Sequence, residues 1–151
     1  MSVVFSAFVL GIAIGLRAMI GVAAVSWAAI SGKLPLEGTW LSFLGYRFAP
    51  YITSVLALGE MINDKLPKTP SRLVPPQFGA RVVMGALTGT AIGLTHGQLA
   101  RGVVAGIAGS VAGTFAGAKG RAFLAKTFGR DLPAALLEDV IAIVLAFVAL
   151  H

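Results

Sequence analysis

Cysteine is absent from the 151 residues, which excludes a disulfide frame, a thiolate metal site and a cysteine nucleophile. Charge is scarce too. Asp, Glu, Lys and Arg make up 12% of the chain, where a soluble domain carries about a quarter. With 57% hydrophobic residues there is too little polar surface for a water-soluble globule of this length, so lipid must solvate much of the exterior. The hydrolase signatures are also missing: neither a G-x-S-x-G elbow nor an H-E-x-x-H pair occurs. His96 and His151 are far apart and lack a local carboxylate, whereas a metal site wants clustered ligands. No enzymatic activity, cofactor or metal is therefore expected.

The charge that is present is mostly basic, with a formal net of +6. Nucleic-acid binding would need these cations on one wetted face. They lie instead in short connections between apolar runs, where orientation signals belong. The first apolar run is too long for a signal-peptide core and has no basic leader, so it is expected to be retained.

Five spans are expected, at about 3–31, 50–64, 78–95, 99–118 and 132–150, forming a single all-helical integral membrane domain over 1–151. The first run has 29 residues and one charge, Arg17, where about 20 suffice to cross the hydrocarbon. The surplus implies tilt, an interfacial end, or a break near Gly15 or Gly21. The stretch 32–49 holds Lys33, Pro35, Glu37 and Arg47 with Trp40, Phe43, Tyr46 and Phe48, which suits an interface. It reads as a short surface helix or a re-entrant piece. Pro50 can open the second helix, its missing N–H being one the first turn leaves unpaired anyway. The loop 65–76 contains Pro67, Pro70, Pro75 and Pro76, and Asp131 suits the N-cap of the last helix.

Nineteen glycines would weaken soluble helices, but in membranes they let backbones approach. Gly85, Gly89 and Gly93 lie four apart, as do Gly109, Gly113 and Gly117, with Gly102 and Gly106 extending the second row. That spacing puts each row on one helix face, as a packing seam between the third and fourth spans or between subunits.

Cation placement predicts a multi-pass protein of the inner (plasma) membrane with loops 65–76 and 119–130 cytoplasmic. Five spans put the N-terminus inside and the C-terminus outside. A sixth crossing at 34–48 would move the N-terminus outside. A bundle this thin is expected to form a homo-oligomer, a dimer by size and glycine seams, in contact with the lipid bilayer.

Gly15-Leu16-Arg17 and Gly59-Glu60-Met61-Ile62-Asn63-Asp64-Lys65-Leu66-Pro67, followed by a proline-rich stretch and a Gly-rich helix pair, resemble the bacterial membrane family called domain of unknown function 4126. In that family proline often follows the Gly-Leu-Arg segment, where this chain has Gly21. The resemblance implies a polytopic membrane protein and supplies no activity.

The chain also echoes itself. Gly15-Leu16-Arg17-Ala18-Met19-Ile20-Gly21 matches Gly79-Ala80-Arg81-Val82-Val83-Met84-Gly85 at Gly, Arg and Gly, and Ala57-Leu58-Gly59-Glu60 resembles Ala135-Leu136-Leu137-Glu138. Repeats of this kind underlie many transporter folds, though a chain rich in Gly, Ala and Leu also matches itself by chance.

An unpaired arginine in the hydrocarbon costs at least ~2.5–3.5 kcal/mol on insertion scales, so Arg17 must find a partner. The expected polar cluster pairs Arg17 with Glu60 or Glu138, and Arg81 with Asp64 or Asp139. Arg17, Glu60 and Glu138 read as a binding or conduction site, and Asp64, Arg81 and Asp139 as interfacial structure. A small transporter or channel for an ion, metabolite or lipid-like molecule is the leading function. The alternative is a non-transporting scaffold or lipid-binding protein with the charges as clasps. The outline of a phosphate-binding loop at Gly120–Thr127 lacks its second glycine and its strand, and is set aside.

Overall fold

The apolar run 3–31 does not make one span. In the computed structural model it divides at Arg17 into α1 (Val3–Leu16) and α2 (Ala18–Ile30). Arg17 has extended backbone angles, φ −145° and ψ 104°, so the intrahelical ladder stops there and the chain turns back. Gly21 packs directly against Ile14 at the turn, where an added Cβ would force the Ile14 side chain to shift. Ser6 of α1 and Leu34, just past α2, line one small cavity together with His96 and Leu150. The two helices therefore form a hairpin with both open ends at one end of the bundle and Arg17 at the tip.

The structure describes residues 2–64 and 74–150, so most of the expected loop 65–76, and His151, lie outside the described residues. Four further α-helices follow: α3 (Ala49–Asp64), α4 (Pro75–Thr95), α5 (Leu99–Phe128) and α6 (Asp131–Leu150). Successive helices alternate in direction. Trp27 bonds Ser54 while Ala18 bonds Glu60, so α2 and α3 are antiparallel. The tip of the hairpin, the end of α3, the start of α4, the end of α5 and the start of α6 meet at the opposite end, called here the charged end. The described residues thus form an all-helical bundle of the membrane type. By length and composition α4, α5 and α6 can each cross a bilayer, and α1 and α2 are shorter apolar helices.

Stretch 34–48 does not cross. It runs over the open end in turns and one 3₁₀ turn, Ser42–Gly45, with Leu34, Leu36, Leu41 and Leu44 buried beneath it. Trp40, Phe43, Tyr46 and Phe48 stay exposed, as an interfacial belt requires.

The glycine rows are used inside the chain. On the antiparallel α4–α5 pair, Gly85 faces Gly106, Gly89 faces Gly102, and Gly93 faces Leu99. Further along α5, Gly109 and Gly113 receive the backbone of α1 at Phe8 to Ile12, the two helices running parallel. A Cβ at Gly109 would meet the Phe8 carbonyl, so these approaches exist only because the residues are glycine. α5 is the central helix, seamed to α4 by one row and to α1 by the other.

Two expected boundaries move. α4 starts at Pro75 rather than at 78, and α5 continues past 118 to Phe128, ending where Gly129 takes φ 73°. The stretch 119–130, expected as a basic connection, is thus largely helix. Arg121 explains the extension, because it is held by acids on two other elements. α3 departs from close packing: only Pro50, Thr53 and Ala57 on it are buried, while Tyr51, Ile52, Val55, Leu56, Leu58 and Ile62 face outwards.

Candidate functional site

Breaking a helix inside an apolar bundle orphans backbone groups on both sides of the break, and each needs a partner. At the tip those partners are charged, with signs that match the helix ends. The first N–H groups of α2 donate to Glu60: Ala18 to Oε1 at 3.0 Å and Met19 to Oε2 at 2.8 Å. The last carbonyls of α1 accept from arginines. Arg81 Nη1 donates to Ile14 at 3.1 Å and Gly15 at 2.9 Å, and Arg17 Nη1 donates to Leu16 at 3.0 Å. An anion thus sits on the positive end of one half-helix and cations on the negative end of the other, the favourable arrangement of the helix dipole.

The rest of the Arg17 side chain meets three carboxylates. Nε donates to Asp139 Oδ1 and Nη2 to Asp64 Oδ2, both at 2.6 Å, and Glu138 Oε1 lies 3.5 Å from Nη1. Arg17 is completely buried. Glu60 and Asp64 are four apart, so one face of α3 supplies both the cap of α2 and a partner for Arg17. Arg81 and Glu60 approach to 3.6 Å, linking the two cappers.

A third arginine extends the cluster outwards. Arg121 Nη1 pairs with Asp64 Oδ2, its Nη2 lies 2.6 Å from Asp131 Oδ2, and Glu138 is 3.8 Å away. The side chain of Asp131 is 58% exposed, so ionisable groups run without interruption from the surface of the charged end through Arg121 and Asp64 to Arg17. Five of the chain's six acidic residues are gathered here. Arg81 is six residues into α4 and Glu138 seven into α6, which places the cluster ~10 Å inside the charged end rather than at the middle of a span.

All six expected residues converge, and the expected pair of Arg17 with Glu138 is present at 3.5 Å, but the closest partners differ from those expected. Arg17 takes Asp64 and Asp139 closely and Glu138 more loosely, while Arg81 lies beside Glu60. The reason is the hairpin: once α2 turns back, its N-terminus claims Glu60 and leaves Asp64 for Arg17. Asp64 and Asp139, expected at the interface, are thereby drawn onto the buried guanidinium. Arg121 and Asp131 were not expected at the site. Arg121 follows Gly109, Gly113 and Gly117 at the same four-residue interval, and that periodicity marks it as part of the inward face of α5. The echoed charges Arg17, Arg81, Glu60 and Glu138 all join the cluster, although Arg17 interrupts a helix and Arg81 sits inside a continuous one.

Two cavities border the cluster. One of about 210 Å³, lined by Gly117, Gly120, Leu124 and Leu145, reaches Arg121 and Glu138 from the side. A larger apolar groove of about 640 Å³ between α2, α3 and α6 comes down to Ile20 and Met61, one turn from the Glu60 cap. Neither is lined by Arg17. The family model described as Domain of unknown function (DUF4126) matches residues 4–151. No curated protein and no solved structure matches the chain.

Proposed function

Because the chain belongs to the family described as domain of unknown function 4126, a description that assigns no activity, we propose a function from the geometry: a small transporter or channel that moves protons or a small cation through the buried carboxylates. The observation that carries this reading is the re-entrant hairpin ending in charge. Non-helical backbone at membrane depth is tolerated where it is buried in protein or lines a pathway, and half-helix ends at ionisable groups are how many transporters build their sites. The uninterrupted run from exposed Asp131 to buried Arg17 supports access from the charged end. The two halves, α1–α3 and α4–α6, start at opposite ends of the bundle, which is also the arrangement of inverted repeats.

The roles of the charges follow from their partners. Arg17, enclosed by three carboxylates, has no face left for an anionic substrate and acts as a fixed counter-charge. Glu60 and Glu138 are the groups to exchange protons or a cation. No catalytic role is proposed for any of them. Lys119, Arg121, Lys126 and Arg130 lie towards the charged end, which we place on the cytoplasmic side of the plasma membrane. With α1 and α2 folded back, the N-terminus then shares the outer side with the C-terminus. We also propose a homo-oligomer, on bundle size alone, since the glycine rows are already used within the chain. Cross-linking in native membranes that yields monomer only would count against it.

Liposomes containing the purified protein and an internal pH-sensitive dye test the transport reading. Under an imposed potential, proton flux above that of protein-free liposomes is expected, falling at least tenfold in Glu60→Gln, which keeps an acceptor for the α2 cap. A second reading is favoured by the complete burial of Arg17 among acids: an ion-pair clasp in a non-transporting scaffold. Absence of flux for protons, sodium and potassium would favour that reading instead, while flux unaltered by Glu60→Gln would remove Glu60 from the pathway.

A further inference from the structure

The apolar groove of about 640 Å³ runs from beside the Glu60 cap towards the open end. It is lined by Ile20, Ala24 and Trp27 on α2, Leu58 on α3, and Ile143 and Phe147 on α6. It exists because α3 leans on α2 and leaves α6 uncovered along their length. From Ile20 to Ser31 the groove follows α2 for about 16 Å, close to the ~15 Å of one hydrocarbon leaflet. Its walls are almost wholly apolar until the open end, where Ser31 and Lys33 form the rim. Trp27 donates to Ser54 at 2.9 Å and packs edge-on against Tyr51 at 5.4 Å, the pair of amphipathic rings expected at headgroup depth.

A second cavity adjoins at that rim. It is smaller, about 180 Å³, shares Lys33 and Leu150 with the groove, and adds Ser6 and His96. His96 Nδ1 is engaged with the Ile92 carbonyl at 2.9 Å, and no carboxylate among the described residues pairs with Lys33. An apolar slot one leaflet long thus opens onto a polar chamber with the Lys33 ammonium at the junction.

We propose that the two cavities together bind one anionic phospholipid of the leaflet at the open end, an acyl chain in the groove and the phosphate at Lys33. A single-chain slot selects for an amphiphile, and Lys33 at its mouth selects for negative charge. The site is independent of the transport reading.

The chain has two tryptophans, so a Trp40→Phe background leaves Trp27 as the reporter inside the groove. That protein is placed in phosphatidylcholine vesicles containing equal mole fractions of either brominated phosphatidylglycerol or brominated phosphatidylcholine, and quenching of Trp27 is read. Quenching should favour phosphatidylglycerol about fivefold in relative binding, the factor matching ~1 kcal/mol per cation at an anionic surface. Lys33→Gln should bring the ratio close to one without loss of helix content, since Lys33 is exposed and outside every helix. Ala24→Phe, which fills the slot, should lower quenching by both lipids. Equal quenching by the two lipids in the Trp40→Phe protein, or a preference that survives Lys33→Gln, overturns the proposal.

Discussion

Replacing Arg17 with methionine keeps an unbranched apolar stem and removes the guanidinium with its charge. In the native protein this guanidinium is fully buried, holds Asp64 and Asp139 at 2.6 Å, and stands 3.5 Å from Glu138. Removing one member of a buried ion pair costs about 3–5 kcal/mol, because the partner is left charged without compensation. Asp64 keeps Arg121, which limits the damage on that side, so the loss is expected at about 3–4 kcal/mol. Adding Asp139→Asn should return part of it, with a coupling of about 2 kcal/mol between the two substitutions, since the neutral amide no longer requires the cation. The measurement is reversible unfolding in mixed micelles of increasing SDS fraction, followed by the helical circular dichroism signal. The reasoning fails if Arg17→Met unfolds within 1 kcal/mol of the native protein, or if the losses from the two substitutions simply add.

Two further outcomes follow from the packing and the topology. Gly109→Leu should cost about 3 kcal/mol, at the upper end for overpacking, because the new Cβ lands on the Phe8 carbonyl and 3.0 Å from the Cα of Gly11; Gly59→Ala and Gly120→Ala meet open space and should be neutral or stabilising by up to ~1 kcal/mol in the same unfolding assay. The absence of cysteine lets single cysteines report sidedness: Ser2→Cys and Thr39→Cys should react with an impermeant thiol reagent from one side of the membrane and Thr127→Cys from the other, and labelling of Ser2→Cys together with Thr127→Cys would refute the hairpin.

Composition and periodicity were enough to read the all-helical membrane bundle, because 57% apolar residues and four-residue glycine spacing are local properties. The meeting of Arg17 with the acids was legible for a similar reason: a buried cation in a chain with six carboxylates has few partners to choose from. The pair of Arg17 with Glu138 was among those expected, but the closer pairings with Asp64 and Asp139 were not. They depend on the direction of α2: a break near Gly15 or Gly21 was one of three expectations for the run 3–31, but no proline or polar cluster there shows that the chain turns back. The feature that forces it is distributed over Glu60 and Arg81, which satisfy the broken ends from other helices. Arg121 was read only as one of the cations of the stretch 119–130, while its place in the row of Gly109, Gly113 and Gly117 points inwards.

The charges and the break are one device. Without Glu60 and Arg81 the tip would hold orphan N–H and C=O groups in a dry interior, at a cost of several kcal/mol apiece in hydrocarbon. Without the break, Arg17 would sit in a continuous helix, and the α2 N–H groups that Glu60 accepts would be used within the helix. The same residues therefore hold the backbone and carry the titratable groups, so a change in the protonation of Glu60 cannot leave the hairpin unaffected. A protonated Glu60 accepts weakly from Ala18 and Met19 and releases its claim on Arg81, 3.6 Å away, which is itself capping Ile14 and Gly15. Glu60 and Arg81, two side chains in mutual contact, thus tie together both halves of the broken helix, which is the physical link that the proposed proton pathway would need at this tip.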